Sequence, residues 1–238
     1  MGRSSNPYFK FKQFTVWHDR SSLRVCTEAC LLGAYASVAG AKKGLDVGTG
    51  TGLLALMLAQ RNENLHIDAI EIERSSVEQA QENVSQSPYA ERIRVYETAL
   101  QDWKPEKGYD LIISNPPFFE NHLLSTNEIR NQSLHTESLT LVELAMSVTQ
   151  LLHKKGRFVV LLPPFETQKI TELLQVKGLE PVKQLEVFQK ENKPLFRKIT
   201  TFSREKIPLI REKLTIHEED GKYSEDFRTL LKDYYLIF

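Results

Sequence analysis

Apolar runs and amphipathic stretches alternate along the middle of the chain, and this alternation is its main fold signal. Short apolar runs predict buried strands at residues 44–48, 66–73, 92–99, 109–114 and 157–163. Apolar positions at helical spacing predict helices at residues 53–61, 76–84, 138–152 and 166–178. Strands that alternate with helices are typical of a parallel sheet with helices on both faces.

The two ends of the chain follow other patterns. Residues Phe9–His18 predict a strand or an extended arm, and Thr27 is a candidate N-cap for the helix after it. Residues 182–189 and 195–204 predict an antiparallel hairpin on one sheet edge, and a short helix is predicted from near Ser224. We therefore expect an α/β fold with a mostly parallel seven-stranded sheet, an antiparallel C-terminal hairpin and helices on both faces.

Two helix ends carry recognisable signals. Ser75 followed by Glu78 predicts a capping box that opens the helix at residues 76–84. The helix predicted at residues 138–152 continues into a basic last turn and is expected to stop at Gly156.

Composition bounds the class of protein. The chain has 238 residues, 41% of them hydrophobic, and 31 basic side chains balance 31 acidic ones. We expect one domain, in which an arm and helix (residues 1–43) pack on a main core (residues 44–238). No apolar run approaches the roughly 20 residues of a membrane span, and no export signal is recognisable. Cys26 and Cys30 are expected to be reduced thiols, so we predict a cytoplasmic protein without a metal site. We separately expect a monomer.

A glycine-rich loop, LDVGTGTG, follows the first core strand and opens the next helix. Gly48, Gly50 and Gly52 allow backbone to approach a ligand closely. The G-x-G-x-G spacing differs from the dinucleotide fingerprint and from the phosphate-binding P-loop. Glu71 lies near the end of the second strand, 19 residues after Gly52, and can accept hydrogen bonds from ribose hydroxyls. This combination predicts a nucleoside site without a pyrophosphate clamp.

The sequence NPPF, Asn115–Phe118, directly follows the strand predicted at residues 109–114. In the expected strand order, that strand adjoins the first core strand, so its carboxyl end faces the same crevice as the glycine loop. Asn-Pro-Pro alone is a turn signal. In the company of the glycine loop and Glu71, it marks a candidate catalytic segment.

The glycine loop and its downstream acid resemble those of the Rossmann-like methyltransferases that use S-adenosylmethionine. The resemblance implies that Asp46 and the turn Gly48–Gly52, with Thr49 inside it, surround the methionine end of this cofactor. It also implies that Glu71 holds the ribose and that Ile72 packs on the adenine. Residues 44–238 would then form the methyltransferase domain.

The resemblance leaves two candidates for the contact with the cofactor's adenine amine. Many members of the class have an acid or amide after the third strand, where this chain has Leu100. Either the backbone of Leu100 or the side chain of Asp102 would make the contact.

NPPF resembles the [DN]PP[YFW] signature of methyltransferases that modify adenine N6 or a glutamine amide. In this interpretation, the Asn115 oxygen and the Pro116 carbonyl accept hydrogen bonds from the target amine and localise its lone pair. Pro117 restricts the backbone that holds this carbonyl, and Phe118 stacks on the target base. Phe119 either extends the stacking surface or anchors the loop. No general base is required for the transfer step.

The segment Phe9–Ser37 resembles the N-terminal signature of bacterial tRNA adenine-N6 methyltransferases, which modify the adenine 3′ of the anticodon in a valine tRNA. This resemblance extends over the whole chain and implies that Arg24, Thr27 and Glu28 line the methionine end of the cofactor. Enzymes that methylate glutamine in release factors carry a helical domain before a similar core, whereas 43 residues precede Gly44 here. The alternatives are methylation of adenine in rRNA or DNA, methylation of a protein glutamine, or a catalytically silent RNA-binding scaffold.

A tRNA partner would require local positive patches, because the net charge is zero. The candidates are Lys10, Lys12, Arg20 and Arg24 in the arm, Lys190, Lys193, Arg197, Lys198, Arg204 and Lys206 on the hairpin, and Arg130 and His135 beyond NPPF. We expect the arm and hairpin patches to flank the crevice, from which the target base is taken out of its stack.

Overall fold

The structure is a computed structural model that describes residues 6–21, 24–116 and 139–238. Its strands are β1 (Tyr8–Lys10), β2 (Thr15–Trp17), β3 (Lys43–Val47), β4 (His66–Glu71), β5 (Ile93–Glu97), β6 (Tyr109–Ser114), β7 (Leu152–Leu162), β8 (Glu180–Phe188), β9 (Leu195–Ser203) and β10 (Ile210–Thr215). Its α-helices are α1 (Thr27–Tyr35), α2 (Leu53–Arg61), α3 (Arg74–Ser85), α4 (Leu141–Leu151), α5 (Pro164–Gln175) and α6 (Glu225–Leu231).

The main sheet has the strand order β10-β8-β9-β7-β6-β3-β4-β5. Strand β9 is antiparallel to both of its neighbours, and the other pairs are parallel. The predicted α/β class, the mostly parallel sheet and the antiparallel hairpin of β8 and β9 are therefore confirmed.

The number of strands was predicted wrongly, because the sheet has eight among the described residues rather than seven. The missed strand is β10, which pairs in parallel with β8 and covers the edge on which the hairpin was expected. Four of its six residues are exposed and its sequence, IREKLT, is largely charged, so no apolar alternation marks it. Charged residues suit an edge strand because they discourage pairing with another chain.

Each face of the sheet carries its own hydrophobic core. On one face, α1, α2, α6 and the arm pack together, with Leu31 and Leu56 fully buried. On the other face, α4 and α5 pack through residues such as Val148 and Ile170. The arm itself is a hairpin of β1 and β2, and its Phe11 is buried in the first core. Helices on both faces are confirmed.

The transition from α4 to β7 differs from the prediction. The helix ends at Leu151 and the strand begins at Leu152, so the basic residues His153–Lys155 lie in the strand rather than in a last helical turn. Gly156 does not end the helix. A Cβ atom at Gly156 would lie 2.7 Å from the Tyr109 carbonyl oxygen, so glycine permits the close approach of β7 to β6.

Three of the helix caps also differ from the sequence signals. Thr27 is the first residue of α1, and the N-cap position belongs to Cys26. Helix α3 begins after Glu73 without the predicted capping box of Ser75 and Glu78. A capping box that the sequence analysis missed joins Thr140 and Glu143 at the start of α4. The expected start near Ser224 is confirmed, since its side chain accepts a hydrogen bond from the Phe227 N–H.

Candidate cofactor and acceptor site

Three neighbouring parallel strands end at the same level, and the predicted site residues follow these ends. Val47 of β3 lies opposite Ile70 of β4 and opposite Ser114 of β6. The Ser114 hydroxyl also donates a hydrogen bond of 2.9 Å to the Val47 carbonyl. The residues that follow, Gly48, Glu71 and Asn115, therefore lie side by side, with Glu71 as the last residue of β4. This register brings the glycine loop, the acid and the start of NPPF to one edge, as the sequence predicts.

The glycine loop has the backbone conformation that glycine makes possible. Gly48, Gly50 and Gly52 have φ values of 69°, 54° and 81°, in the left-handed region. The N–H groups of Gly48 and Thr49 both donate to the Ile70 carbonyl at 3.0 Å. The loop is thus fixed to the end of β4, with backbone rather than side chains at its surface.

Asp46 lies fully buried at the end of β3 and supports the loop from below. Its Oδ2 accepts hydrogen bonds from the Thr49 hydroxyl at 2.6 Å and from the Ala55 N–H at 3.2 Å. Its Oδ1 is buried with no hydrogen-bond partner among the described residues. Burial raises the pKa of Asp46 to about 7, although both hydrogen bonds act to lower it. A buried acceptor of this kind fits a ligand that brings a donor or a positive charge.

Glu71 is hydrogen bonded to backbone on both of its carboxylate oxygens. Oε2 accepts from the Gly50 N–H at 2.9 Å, and Oε1 accepts from the N–H groups of Ile72 at 2.8 Å and Glu73 at 3.1 Å. Since a carboxylate has about four acceptor positions, these contacts leave about one for a ligand. Glu71 therefore holds the glycine turn as well, which the sequence did not reveal. The Ile72 side chain beside it is 53% exposed and offers an apolar surface.

The two candidates for the adenine amine lie in the turn after β5. The side chain of Leu100 is buried in the second core, so only its backbone could contact a ligand. Asp102 is exposed, and its N–H donates to the Ala99 carbonyl at 3.1 Å.

The described part of NPPF comprises Asn115, which is half-buried, and Pro116, which is buried. The other members of the predicted catalytic segment lie outside the described residues, as do the candidate RNA contacts beyond it: Pro117, Phe118, Phe119, Arg130 and His135.

The residues predicted before the core lie near the start of α1. Arg24 is exposed, whereas Thr27 and Glu28 are half-buried in or beside the first turn. Glu28 Oε1 lies 3.3 Å from Nε of Arg197, which is near the beginning of β9. The contact joins α1 to the end of the sheet where the other site residues lie, because β9 begins beside the carboxyl end of β7.

Sequence reasoning missed Asn83, a fully buried residue of α3 that joins the arm to the glycine loop. Its Nδ2 donates to the carbonyls of Thr51 at 2.9 Å and Trp17 at 2.8 Å, and its Oδ1 accepts from the Trp17 N–H at 2.8 Å. Gln79 and Ser76, also buried, continue the same helix face. The sequence signal that could have revealed this contact is the helical spacing of Ser76, Gln79 and Asn83, three polar residues on one buried helix face.

The basic residues assigned to the arm and hairpin patches are partly paired inside the molecule. Lys198 lies 3.4 Å from Glu186, and Arg20 pairs with Glu82. Arg204 donates to two main-chain carbonyls, and Lys12 does the same. These side chains contribute less free positive charge than the sequence suggests.

The sheet order, the glycine loop, the acid that ends the next strand and the Asn-Pro-Pro segment together define a methyltransferase of the Rossmann-like class. The family model named "Methyltransferase small domain" matches residues 28–138. The chain belongs to the family of the tRNA1(Val) (adenine(37)-N6)-methyltransferases. It is 42% identical to the member from Dyadobacter fermentans over 237 residues, covering 98% of this chain and 99% of that protein.

Further comparisons agree with this family and fold. The member from Parabacteroides distasonis is 40% identical over 235 residues, covering 98% of this chain and 99% of that protein. Among solved structures, a predicted O-methyltransferase from Agrobacterium tumefaciens superposes with a TM-score of 0.65 at 16% identity. That superposition covers 86% of this chain and 95% of the other. The predicted family and the methyltransferase class are confirmed.

Within the described ranges, no helix is both long and apolar enough to cross a membrane. The described part of the chain also contains no group of three or more His, Cys, Asp or Glu side chains that could hold a metal ion.

Proposed function

We propose that this protein transfers a methyl group from S-adenosylmethionine to N6 of an adenine in tRNA, namely adenine 37 of a valine tRNA. The relatives named above carry this activity in their names. The observation that carries the proposal is the shared register of β3, β4 and β6. This register brings Gly48, Glu71 and Asn115 to the carboxyl ends of three neighbouring strands, which supports a methyl-donor site beside an acceptor site.

The cofactor would be held by groups of the glycine loop and the strand ends beside it. Asp46 supplies a buried carboxylate. Glu71 has about one acceptor position that is not used by its backbone contacts, and this position can accept a hydrogen bond from a ribose hydroxyl. Ile72 supplies an apolar surface for adenine. When bound, S-adenosylmethionine supplies a methyl group on a positively charged sulfur.

The acceptor amine would be positioned by Asn115 and Pro116. An exocyclic amine conjugated to a ring is a weak nucleophile, because its lone pair is delocalised. The Asn115 side-chain oxygen and the Pro116 carbonyl accept hydrogen bonds from the two N–H groups of this amine. These hydrogen bonds favour a pyramidal nitrogen. Preorganised acceptors also stabilise the positive charge that develops on nitrogen.

The substrate is tested with bulk tRNA from a strain that lacks the gene. Purified protein and labelled S-adenosylmethionine are added, the tRNA is digested, and N6-methyladenosine is measured. A rise in N6-methyladenosine is expected. No rise in tRNA, with labelling of rRNA, DNA or release factor in parallel reactions, would replace the proposed substrate with the labelled one.

The role of Asn115 is tested by two substitutions. Asn115→Ala removes the acceptor oxygen and is expected to lower kcat about 100-fold or more, with the cofactor Kd nearly unchanged. Asn115→Asp retains an acceptor and should keep more activity than the alanine variant. Normal turnover of Asn115→Ala on the valine tRNA would rule out this mechanism.

A further inference from the structure

A second Pro-Pro-Phe sequence follows the strand next to β6. Pro163, Pro164 and Phe165 come directly after β7, as Pro-Pro-Phe of NPPF comes after Asn115 and β6. The two strands pair in parallel, with Ser114 opposite Val160. Strand β7 continues two residues past Val160, to Leu162, whereas β6 ends at Ser114. Because neighbouring strands lie about 4.8 Å apart, the two carboxyl ends, offset by two residues, lie on the side of the sheet that carries the acceptor site.

Phe165 is unusual among the apolar residues of α5. Its side chain is 55% exposed in the first turn of the helix, whereas Ile170 and Leu174 of the same helix are fully buried. A single exposed aromatic residue is common on protein surfaces and indicates nothing by itself. Its position beside the acceptor site is what gives it significance.

A cation accompanies the ring. The Lys169 ammonium, one helical turn further along α5, lies 4.3 Å from the centroid of the Phe165 ring. An aromatic ring next to a cation is the combination with which proteins bind single-stranded nucleic acid, since bases stack on the ring and phosphates attract the cation.

We infer that Phe165 and Lys169 bind a nucleotide that flanks the target adenine. Its base stacks on the Phe165 ring, and Lys169 contacts its phosphate. An adenine taken out of its stack leaves its neighbours in the RNA unstacked, so a surface beside the acceptor site stabilises them. This inference rests on the proposed tRNA substrate and adds a second contact on the RNA.

The first test compares variants of the full chain on an anticodon stem-loop of the valine tRNA. Phe165→Ala is expected to lower kcat/KM about 5- to 150-fold, mainly through KM, because stacking of one base contributes that much. Phe165→Trp retains a flat ring and should remain close to wild type. Val176→Ala removes an 84% exposed side chain near the other end of α5 and serves as the control.

The second test identifies the stacked nucleotide. A series of stem-loops, each abasic at one position near adenine 37, is methylated by the wild type and by Phe165→Ala. One abasic position should weaken the wild type but leave Phe165→Ala unaffected. Unfolding midpoints and the cofactor Kd should not change, which separates a contact with RNA from a structural role.

The outcomes separate the two proposals. If the wild type methylates the stem-loop and Phe165→Ala matches it in kcat/KM, the inference is wrong and the proposed function stands. If the wild type methylates no tRNA, the proposed function fails and the inference fails with it.

Discussion

The most perturbed carboxyl group at the site is that of Asp46, and it predicts how cofactor binding depends on pH. Burial raises its pKa to about 7, so the folded protein takes up a proton there as the pH falls through 7. The ionised carboxylate attracts the positively charged cofactor. Affinity for S-adenosylmethionine should therefore decrease below pH 7, approaching tenfold per pH unit, in calorimetric titrations between pH 6 and 8.

The matched control is Asp46→Asn, which keeps the shape and removes the titration. Its cofactor Kd should be weaker and nearly independent of pH over the same range. A pH dependence that persists in this variant would assign the titration to another group. The pH dependence of stability has the opposite sign to that of cofactor affinity. Because the pKa of Asp46 is higher in the folded state than in the unfolded state, Asp46 contributes less to the free energy of unfolding as the pH rises from about 4 to 7.

At the residue scale, the sequence predicted positions better than contacts. Gly48, Glu71 and Asn115 could be predicted because each lies near or just after the end of an apolar run, and such runs are strands whose carboxyl ends meet on one side of the sheet. The three backbone hydrogen bonds of Glu71 and the contact of Glu28 with Arg197 could not. They depend on distances between segments that sequence spacing does not encode.

At the scale of elements, α3 joins the arm to the glycine loop through Asn83. Asn83→Ala would leave the buried Thr51 carbonyl and the two partly buried backbone groups of Trp17 without their partner. We expect a loss of about 2–4 kcal/mol in the free energy of unfolding by urea, since each unsatisfied buried group costs about 1–3 kcal/mol. The cofactor Kd should rise as well, because Thr51 belongs to the loop.

The control on the same helix is Arg74→Ala. The Arg74 side chain is 79% exposed, and its Nε lies 3.1 Å from Oε1 of Glu78, one helical turn further along. Its loss should change the free energy of unfolding by less than about 0.5 kcal/mol. If Asn83→Ala behaved like Arg74→Ala in both measurements, the link between arm and loop would have no energetic importance.

The elements that the sequence predicted correctly are those whose apolar face is buried in one of the two cores. Strand β10 was not predicted, because its position is determined by backbone pairing with β8 while most of its side chains face solvent. The end of α4 was misplaced because a basic stretch before a glycine usually ends a helix. Here Gly156 instead allows β7 to lie close to the Tyr109 carbonyl.

At the scale of the whole molecule, the arm packs against the C-terminal segment. Phe11 and Tyr235 form an isolated antiparallel β-bridge. The Lys12 ammonium donates hydrogen bonds to the main-chain oxygens of Lys232 at 2.6 Å and Phe238 at 2.7 Å. From the sequence, Lys12 was predicted to belong to an RNA-binding patch together with Lys10. Charge alone could not separate these lysines, because only the fold shows which one is engaged within the protein.

These contacts predict different effects for two substitutions that each remove one charge from the arm. Lys12→Met should lower the free energy of unfolding by about 1 kcal/mol, because its two hydrogen bonds are lost, and should leave RNA affinity nearly unchanged. Lys10→Met, at an exposed position, should leave stability unchanged and weaken binding of the valine tRNA stem-loop. Urea unfolding and fluorescence anisotropy at several salt concentrations measure both quantities.

The salt dependence distinguishes a contact with phosphate from an indirect effect. If Lys10 contacts a phosphate, Lys10→Met should reduce the slope of log Kd against log salt concentration by about 1, whereas Lys12→Met should not change it. The opposite pattern, with a reduced slope and unaltered stability for Lys12→Met, would place Lys12 at the RNA. It would also mean that the hydrogen bonds of Lys12 with the C-terminal segment break when tRNA binds.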